Sequence, residues 1–417
     1  MLTWTGTPGV EYWVFSATDA SLSTSNWLSL PNGHAYLSAV SPFYLCGLYD
    51  GKTYYFAANG RTNGGPGGPG TPVVSATPYN ASTSTWSALT TPVSQPDLFG
   101  TGYTSLTTCA NTSSSATGEF AAVGAGGAIF TSPDASNWNS VTSPLTTDLY
   151  AVTGYAATQN NVASPGLRWV AVGAGGASVY STDGVIWTIG NDFNTSSTAN
   201  PNNYALRSIT QISGTFFAAG DGGTILSSTD GITWTSHVSG TPNNLKGIAH
   251  GTNYVAVGDG GTILTSSDGN TWTTQTSGTT SNLRKVAYYT SIYGSIIVAV
   301  GDGGTVVTSK DNGTTWYSQT LGTNNLAGVA AEPLAYDATD TTLTPDAWLT
   351  YIPNGQFVIT DDAGNSYHSV TGTDPNANGL TWDPASIATG NTNVNDLLST
   401  GYGYLVVGNA GTTAYSF

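Results

Sequence analysis

Short apolar and β-branched runs of four or five residues alternate with polar, Gly-rich turns along the whole chain, and no apolar stripe at helical spacing competes with them. In YVAVGDGGTILTSSDGNTW (254–272) the runs 254–257 and 262–265 read as strands, and GDGG between them supplies the positive φ angles of a tight hairpin. The string recurs at 120–138, 169–187, 216–234 and 297–316. Each copy has an apolar run upstream (NLKGIAHG at 244, with parallels at 148, 205, 282 and 325) and a Trp-bearing strand downstream. Four antiparallel strands in roughly 40–50 residues is the period of a propeller blade, which buries its faces only by packing on neighbours.

The predicted fold is therefore an all-β propeller of four-stranded antiparallel blades, one domain over residues 1–417. Degenerate copies extend the array: VFSATDASLSTSNW (14–27) aligns with VVSATPYNASTSTW (73–86), and both read as third and fourth strands. Eight blades are expected, with seven as the alternative count. The closing blade would combine residues 1–30 with 394–417, which leaves no unpaired edge. NGRTNGGPGGPGTP (59–72) reads as a long Gly/Pro loop within a blade.

The turn after the third strand is similar to the Asp-box of sialidases and related propellers, in SKDNGTTW (309–316), TDDAGNSY (360–367), SSDGNTW (266–272), STDGITW (228–234) and STDGVIW (181–187). An Asp carboxylate accepts backbone N–H groups of its own turn, Gly takes the unusual φ, and Trp fills the space between sheets. Asp183, Asp230, Asp268, Asp311 and Asp362 are read as structural turn residues. The repeats also resemble the propellers of photosystem II assembly factors over about residues 100–320, and that resemblance implies holding a partner protein rather than catalysis.

Charged residues make up 8% of the chain and the net charge is −16. That balance repels phosphate backbones and argues against nucleic acid as a partner. No segment has the ~20 apolar residues that cross a membrane, and the first residues do not read as a Sec-type leader. A Ser/Thr/Asn-rich, Lys-poor surface without a leader fits a phage or virus particle. The expected role is accordingly a non-enzymatic decoration, fibre or host-attachment component at the virion surface, in contact with other virion proteins and host glycans. A secreted carbohydrate-binding propeller and an assembly scaffold for an acidic partner are the alternatives.

Candidate chemistry is sparse. After the Leu of successive first strands come Phe99, Tyr150, Arg207, Lys246, Arg284 and Ala327. Arg207, Lys246 and Arg284 thus share one register and could bind an anion or acidic partner, or could simply pair with turn aspartates. Tyr155 and Tyr288 at loop edges could stack on sugars, and the long loops at 107–118, 156–168 and 335–347 mark a candidate docking face. A sialidase site would need an Arg triad, a Tyr and a Glu, but Arg61, Arg168, Arg207 and Arg284 lack the family's Ile-Pro context and Glu occurs only as Glu11, Glu119 and Glu332. No cofactor or metal is expected: Asp337, Asp340 and Asp346 match no Ca²⁺ loop, and His34, His237, His250 and His368 are scattered. Cys46 and Cys109 read as small buried residues.

Overall fold

The computed structural model describes residues 7, 9–30, 34–39, 53–62, 67, 70–76, 87–88, 96–103, 120–132, 135, 137–154, 169–190, 200, 202–212, 214–291, 294–331, 357–370, 380–386, 394–399 and 404–416. Among the described residues there are eight four-stranded antiparallel sheets, the number of blades expected. The chain divides into two compact units, where a single domain was expected: one is built mainly on residues 1–80, the other mainly on 81–417.

In the second unit, contacts between first strands close a ring through seven sheets. The first strands of blades 1 to 7 are Leu98–Tyr103, Leu149–Gly154, Leu206–Ile212, Leu245–His250, Leu283–Ser291, Leu326–Ala331 and Val394–Ser399. In blades 1 to 6 the remaining strands follow in chain order. Blade 7 takes Tyr404–Gly408 and Thr413–Ser416, then borrows Ser87–Ala88 as its fourth strand, with Ala88 opposite Ala414 and Ser87 opposite Tyr415.

This corrects the closing blade expected from residues 1–30. Glu11–Ala17 has hydrogen-bonded partners on both sides, His34–Ala39 and Tyr54–Arg61, so neither of its edges is free to close a ring. Val74–Ala76 completes that sheet, whose order departs from a meander because the second strand in sequence lies outside the first. VFSA is accordingly a central strand, and Trp27–Ser29 is a single 3₁₀ turn instead of a fourth strand. Phe15, Ala17, Leu22 and Ala57 form its core with Trp13 and Trp27, and the Arg61 guanidinium stacks 3.5 Å over the Trp13 ring.

The second strand of a blade is buried on both faces, which explains its unbroken apolar run. Trp169 and Ala171 pack toward blade 1 with Ala121 and Val123, while Val170 and Val172 pack toward blade 3 with Leu206 and Phe216. Alternation of side chains therefore serves two neighbours, and each large side chain so buried stabilises by about 1.5–3 kcal/mol. The junction of blade 7 with blade 1 is built in the same way, from Leu405 and Val407 against Leu98, Phe120 and Phe130.

Candidate interaction site

Every first strand of the ring carries a register shift at one place, between its first residue and the third. The residue inside the shift is Phe99, Tyr150, Arg207, Lys246, Arg284, Ala327 or Asn395. A bulge of this kind re-aims a side chain, and seven of them set one position per blade around a single mouth of the ring. The regular backbone thus displays a series of residues that does not repeat.

Arg207, Lys246 and Arg284 each find a carboxylate in the second-to-third hairpin of their own blade. Arg207 Nε and Nη2 donate to Asp221 at 2.9 and 2.8 Å, Lys246 lies 2.5 Å from Asp259, and Arg284 donates to Asp302. An incoming anion would have to displace a carboxylate already in place. The pairing is legible within the repeat, because blades with an aromatic residue at the bulge carry Ala125 or Ala174 where the basic blades carry Asp. On the aromatic side, Phe99 and Tyr150 lie 5.8 Å apart and the Arg207 guanidinium sits 4.5 Å over the Tyr150 ring. The mouth is thus a continuous arc from two aromatics to three paired cations.

One residue further, the first strands press together. A Cβ on Gly100 would lie 2.5 Å from Tyr150 O, and one on Gly247 3.2 Å from Lys285 Cα. Lys285 occupies the same layer and its ammonium meets Asp396 of blade 7 at 2.7 Å, past the intervening blade 6, while Asp396 also accepts the Thr101 N–H at 2.9 Å. The repeat gives no hint of this contact, because the register that holds Lys285 and Asp396 carries Gly, Ala or Ser in the other five blades.

Neighbouring blades are clasped at the same face. The N–H of the middle hairpin residue donates to the side chain just before the next first strand: Gly126 to Asp148, Gly222 to Asn244, Gly260 to Asn282, Gly303 to Asn325 and Ala410 to Asp97, at 2.8–3.1 Å. The last of these spans the ring closure. At Asn244, Asn282 and Asn325 the amide also donates to the hairpin carboxylate of its own blade, Asp259, Asp302 and Asp362.

On the opposite face, Asp183 Oδ1 accepts from the backbone N–H groups of Val185 and Ile186, Asp230 from Ile232 and Thr233, Asp268 from Asn270 and Thr271, and Asp311 from Thr314 and Thr315. The Trp that follows donates back to the turn glycine carbonyl in blades 2, 4 and 5. Asp362 is placed differently from the sequence expectation. Phe357–Asp361 and Asn365–Val370 are the second and third strands of blade 6, so TDDAGNSY spans their hairpin. There Asp361 does the capping, accepting from the Ala363 and Asn365 N–H groups. The string contains the Asp and Gly of both turn types, and only strand pairing distinguishes them.

Burial alone would raise the carboxyls of Asp183, Asp230 and Asp311, but hydrogen bonds from turn N–H groups and hydroxyls outweigh it and hold them below the usual aspartate range. Asp268 is lowered first of all by the Thr271 N–H. Groups with a depressed folded pKa contribute stability that is complete above the unfolded value, near 3.9, and lost as pH falls through the folded ones. These turns should therefore leave the urea midpoint unchanged from about pH 7 to 5 and lower it below about pH 4, whereas His237 and His250, whose pKa values burial lowers, begin to cost stability as pH falls through about 6.5. The double variant Asp230→Asn, Asp311→Asn should show a shallower acid limb, and an unchanged limb would remove these turns from the account.

Tyr288 donates to Asn312 at 3.2 Å and packs on the core between blades 4 and 5, so it is anchored in the fold. Tyr155, Arg168, Glu119, Glu332, both cysteines, Asp337, Asp340, Asp346 and the long loops at 107–118, 156–168 and 335–347 lie outside the described residues. Among the described residues no group of three or more His, Cys, Asp or Glu is arranged to hold a metal ion, and no helix is long and apolar enough to cross a membrane.

No family model matches the chain, and no curated protein matches it. Solved structures do. YCF48 bound to D1 peptide aligns with a TM-score of 0.55 over 81% of this chain and 96% of that one, at 16% identity. YCF48 from Cyanidioschyzon merolae gives 0.53 over 80% and 98%, at 15% identity. The WD40 β-propeller domain of Doa1 gives 0.52 over 81% and 97%, at 8% identity. The chain is an Asp-box-repeat β-propeller. Structurally it resembles YCF48, and at these identities the resemblance is one of fold.

Proposed function

We propose that this chain is a non-enzymatic interaction protein, exposed on a phage or virus particle as a decoration, fibre or host-attachment component, which offers the bulged mouth of its ring to a partner protein. The observation that carries this reading is the bulge series itself. A fold needs the bulge at every blade, yet it does not need Phe, Tyr, Arg, Lys, Arg, Ala and Asn in turn. Aromatic and Arg side chains are the types that concentrate binding energy at interfaces. The YCF48 structure bound to D1 peptide supports peptide holding by a propeller of this shape. A chain with only 8% charged residues supports a setting outside the cell.

A photo-crosslinking amino acid at position 150 tests the idea in particle-producing cells. The expected product is a crosslink to another virion protein, weakened at least tenfold when Arg207, Lys246 and Arg284 are all changed to Ala. If the chain does not sediment with particles, or if crosslinks form only from the Asp-box face, the reading fails.

A further inference from the structure

We propose that the groove on blade 3, between its second-to-third hairpin and the loop that leaves its fourth strand, binds a neutral glycan, with one sugar ring lying against Tyr204 and Val238. The groove is open to solvent and offers about 480 Å³ of space, and its lining contains no Asp, Glu, Lys or Arg. That volume suits a small ligand held by a few polar groups on an apolar wall. Here the polar groups are amide, hydroxyl and imidazole: Asn202, His237, Ser239 and Thr241. Tyr204 and Val238 are 39% and 86% exposed, large apolar surfaces left in solvent on a polar face. An aromatic ring with adjacent apolar surface matches the C–H face of a hexose, while amides and hydroxyls match its rim.

The concavity belongs to the repeat, but the platform does not. Blade 4 has the equivalent groove, about 650 Å³, lined by Gly260, Gly261, Thr262 and residues 274–280, with no aromatic residue. Tyr204 comes instead from the segment entering blade 3, and that segment is fastened. The amide of Asn200, itself buried, donates to Tyr204 O at 2.9 Å and accepts the Tyr204 N–H at 3.0 Å, and Asn203 takes a φ of +52° to make the turn. The ring then lies directly on Gly222, where a Cβ would stand 2.5 Å from it. Tyr204 is thus preorganised in its exposed position, which lowers the ordering cost of binding. In the same segment Ala205 stands where Asn244, Asn282 and Asn325 clasp the preceding blade at other junctions, so a repeat contact is absent beside the platform.

An acidic sugar is disfavoured at this groove. The nearby Arg207 is already matched to Asp221, and His237, bonded to Ser227 at 2.8 Å, has its pKa lowered by burial, which favours the uncharged ring.

The assignment deepens the host-attachment side of the proposed function, but it is tested on purified protein, so failure here leaves particle association standing and failure there leaves this groove standing. The full chain is applied to an array of neutral and sialylated oligosaccharides, and the best neutral glycan is titrated by calorimetry. Retention of neutral glycans is expected, with Tyr204→Ala and Val238→Asp each weakening binding about tenfold and Tyr204→Trp retaining it. Thr274→Ala, in the blade 4 groove, should change nothing. Both weakening variants alter exposed side chains, and an unchanged thermal melt shows that they fold. Binding of sialylated glycans alone, binding of none, or undiminished binding by folded Tyr204→Ala would each overturn the proposal.

Discussion

Gly261→Ala is expected to destabilise the ring by about 4 kcal/mol, while Gly260→Ala, one residue earlier in the same hairpin, costs no more than about 1–2 kcal/mol. Both glycines have positive φ, +73° and +62°, so backbone conformation alone would not separate them. Space does. A Cβ on Gly260 meets nothing closer than Asn243 Nδ2 at 4.0 Å, and one on Gly261 would stand 2.1 Å from the Thr279 carbonyl oxygen. That oxygen belongs to the backbone of the loop that enters blade 5, so it cannot swing aside like a flexible side chain. The corresponding second glycine is equally cramped in other blades: Gly127 against Leu145 O at 2.2 Å, Gly223 against Thr241 O at 1.8 Å. Blade 7 supplies an internal control, since Ala410 occupies the place of Gly260 with φ +52°. Urea unfolding of the two variants decides the matter, and equal midpoints would mean that the loop yields and the packing argument is wrong.

The contrast between those two glycines marks the limit of what could be read from residues alone. GDGG announces a hairpin with positive φ, and nothing in the string says that its second glycine is pressed against the backbone of the loop that leaves the same blade's fourth strand, at Thr279. Likewise the register of Phe99, Tyr150, Arg207, Lys246 and Arg284 was visible as a position after Leu, because it repeats. That the position is a bulge at the ring mouth, with each cation facing its own hairpin Asp, required the strand pairing. Local periodicity encodes strands and turns well, since each is settled by side chains within a few residues. Long-range edge pairing is not encoded in this way. Ser87–Ala88 directly follows Trp86 of a degenerate repeat copy, but its union with Thr413–Ser416 depends on which edge the ring leaves open. Tyr204 escaped notice for the opposite reason: it lies outside the repeat, where the pattern offers no register to compare.

Closure yields the second large effect. A chain starting at residue 81 is expected to fold with an unchanged urea midpoint, whereas a chain ending at residue 403 is expected to lose cooperative unfolding altogether. The first follows because all seven blades, including Ser87–Ala88, draw their strands from residues after 80, and the four strands of the sheet of residues 11–76 pair only with one another. The second follows from what the last strands cover. Tyr404, Leu405, Val406 and Val407 are all at most 1% exposed, packed between Val358 and Ala330 of blade 6 and Leu98 and Phe120 of blade 1. At about 1.5–3 kcal/mol for each large side chain, exposing them costs roughly 6–12 kcal/mol, as much as the whole stability of an ordinary domain. The same cut removes the Ala410 N–H that clasps Asp97 and leaves two blade faces open to water. Circular dichroism and size exclusion would report the outcome. An unfolded 81–417 chain would show that the ring leans on the first eighty residues, and a cooperative 1–403 chain would show that its blades stand without being joined end to end.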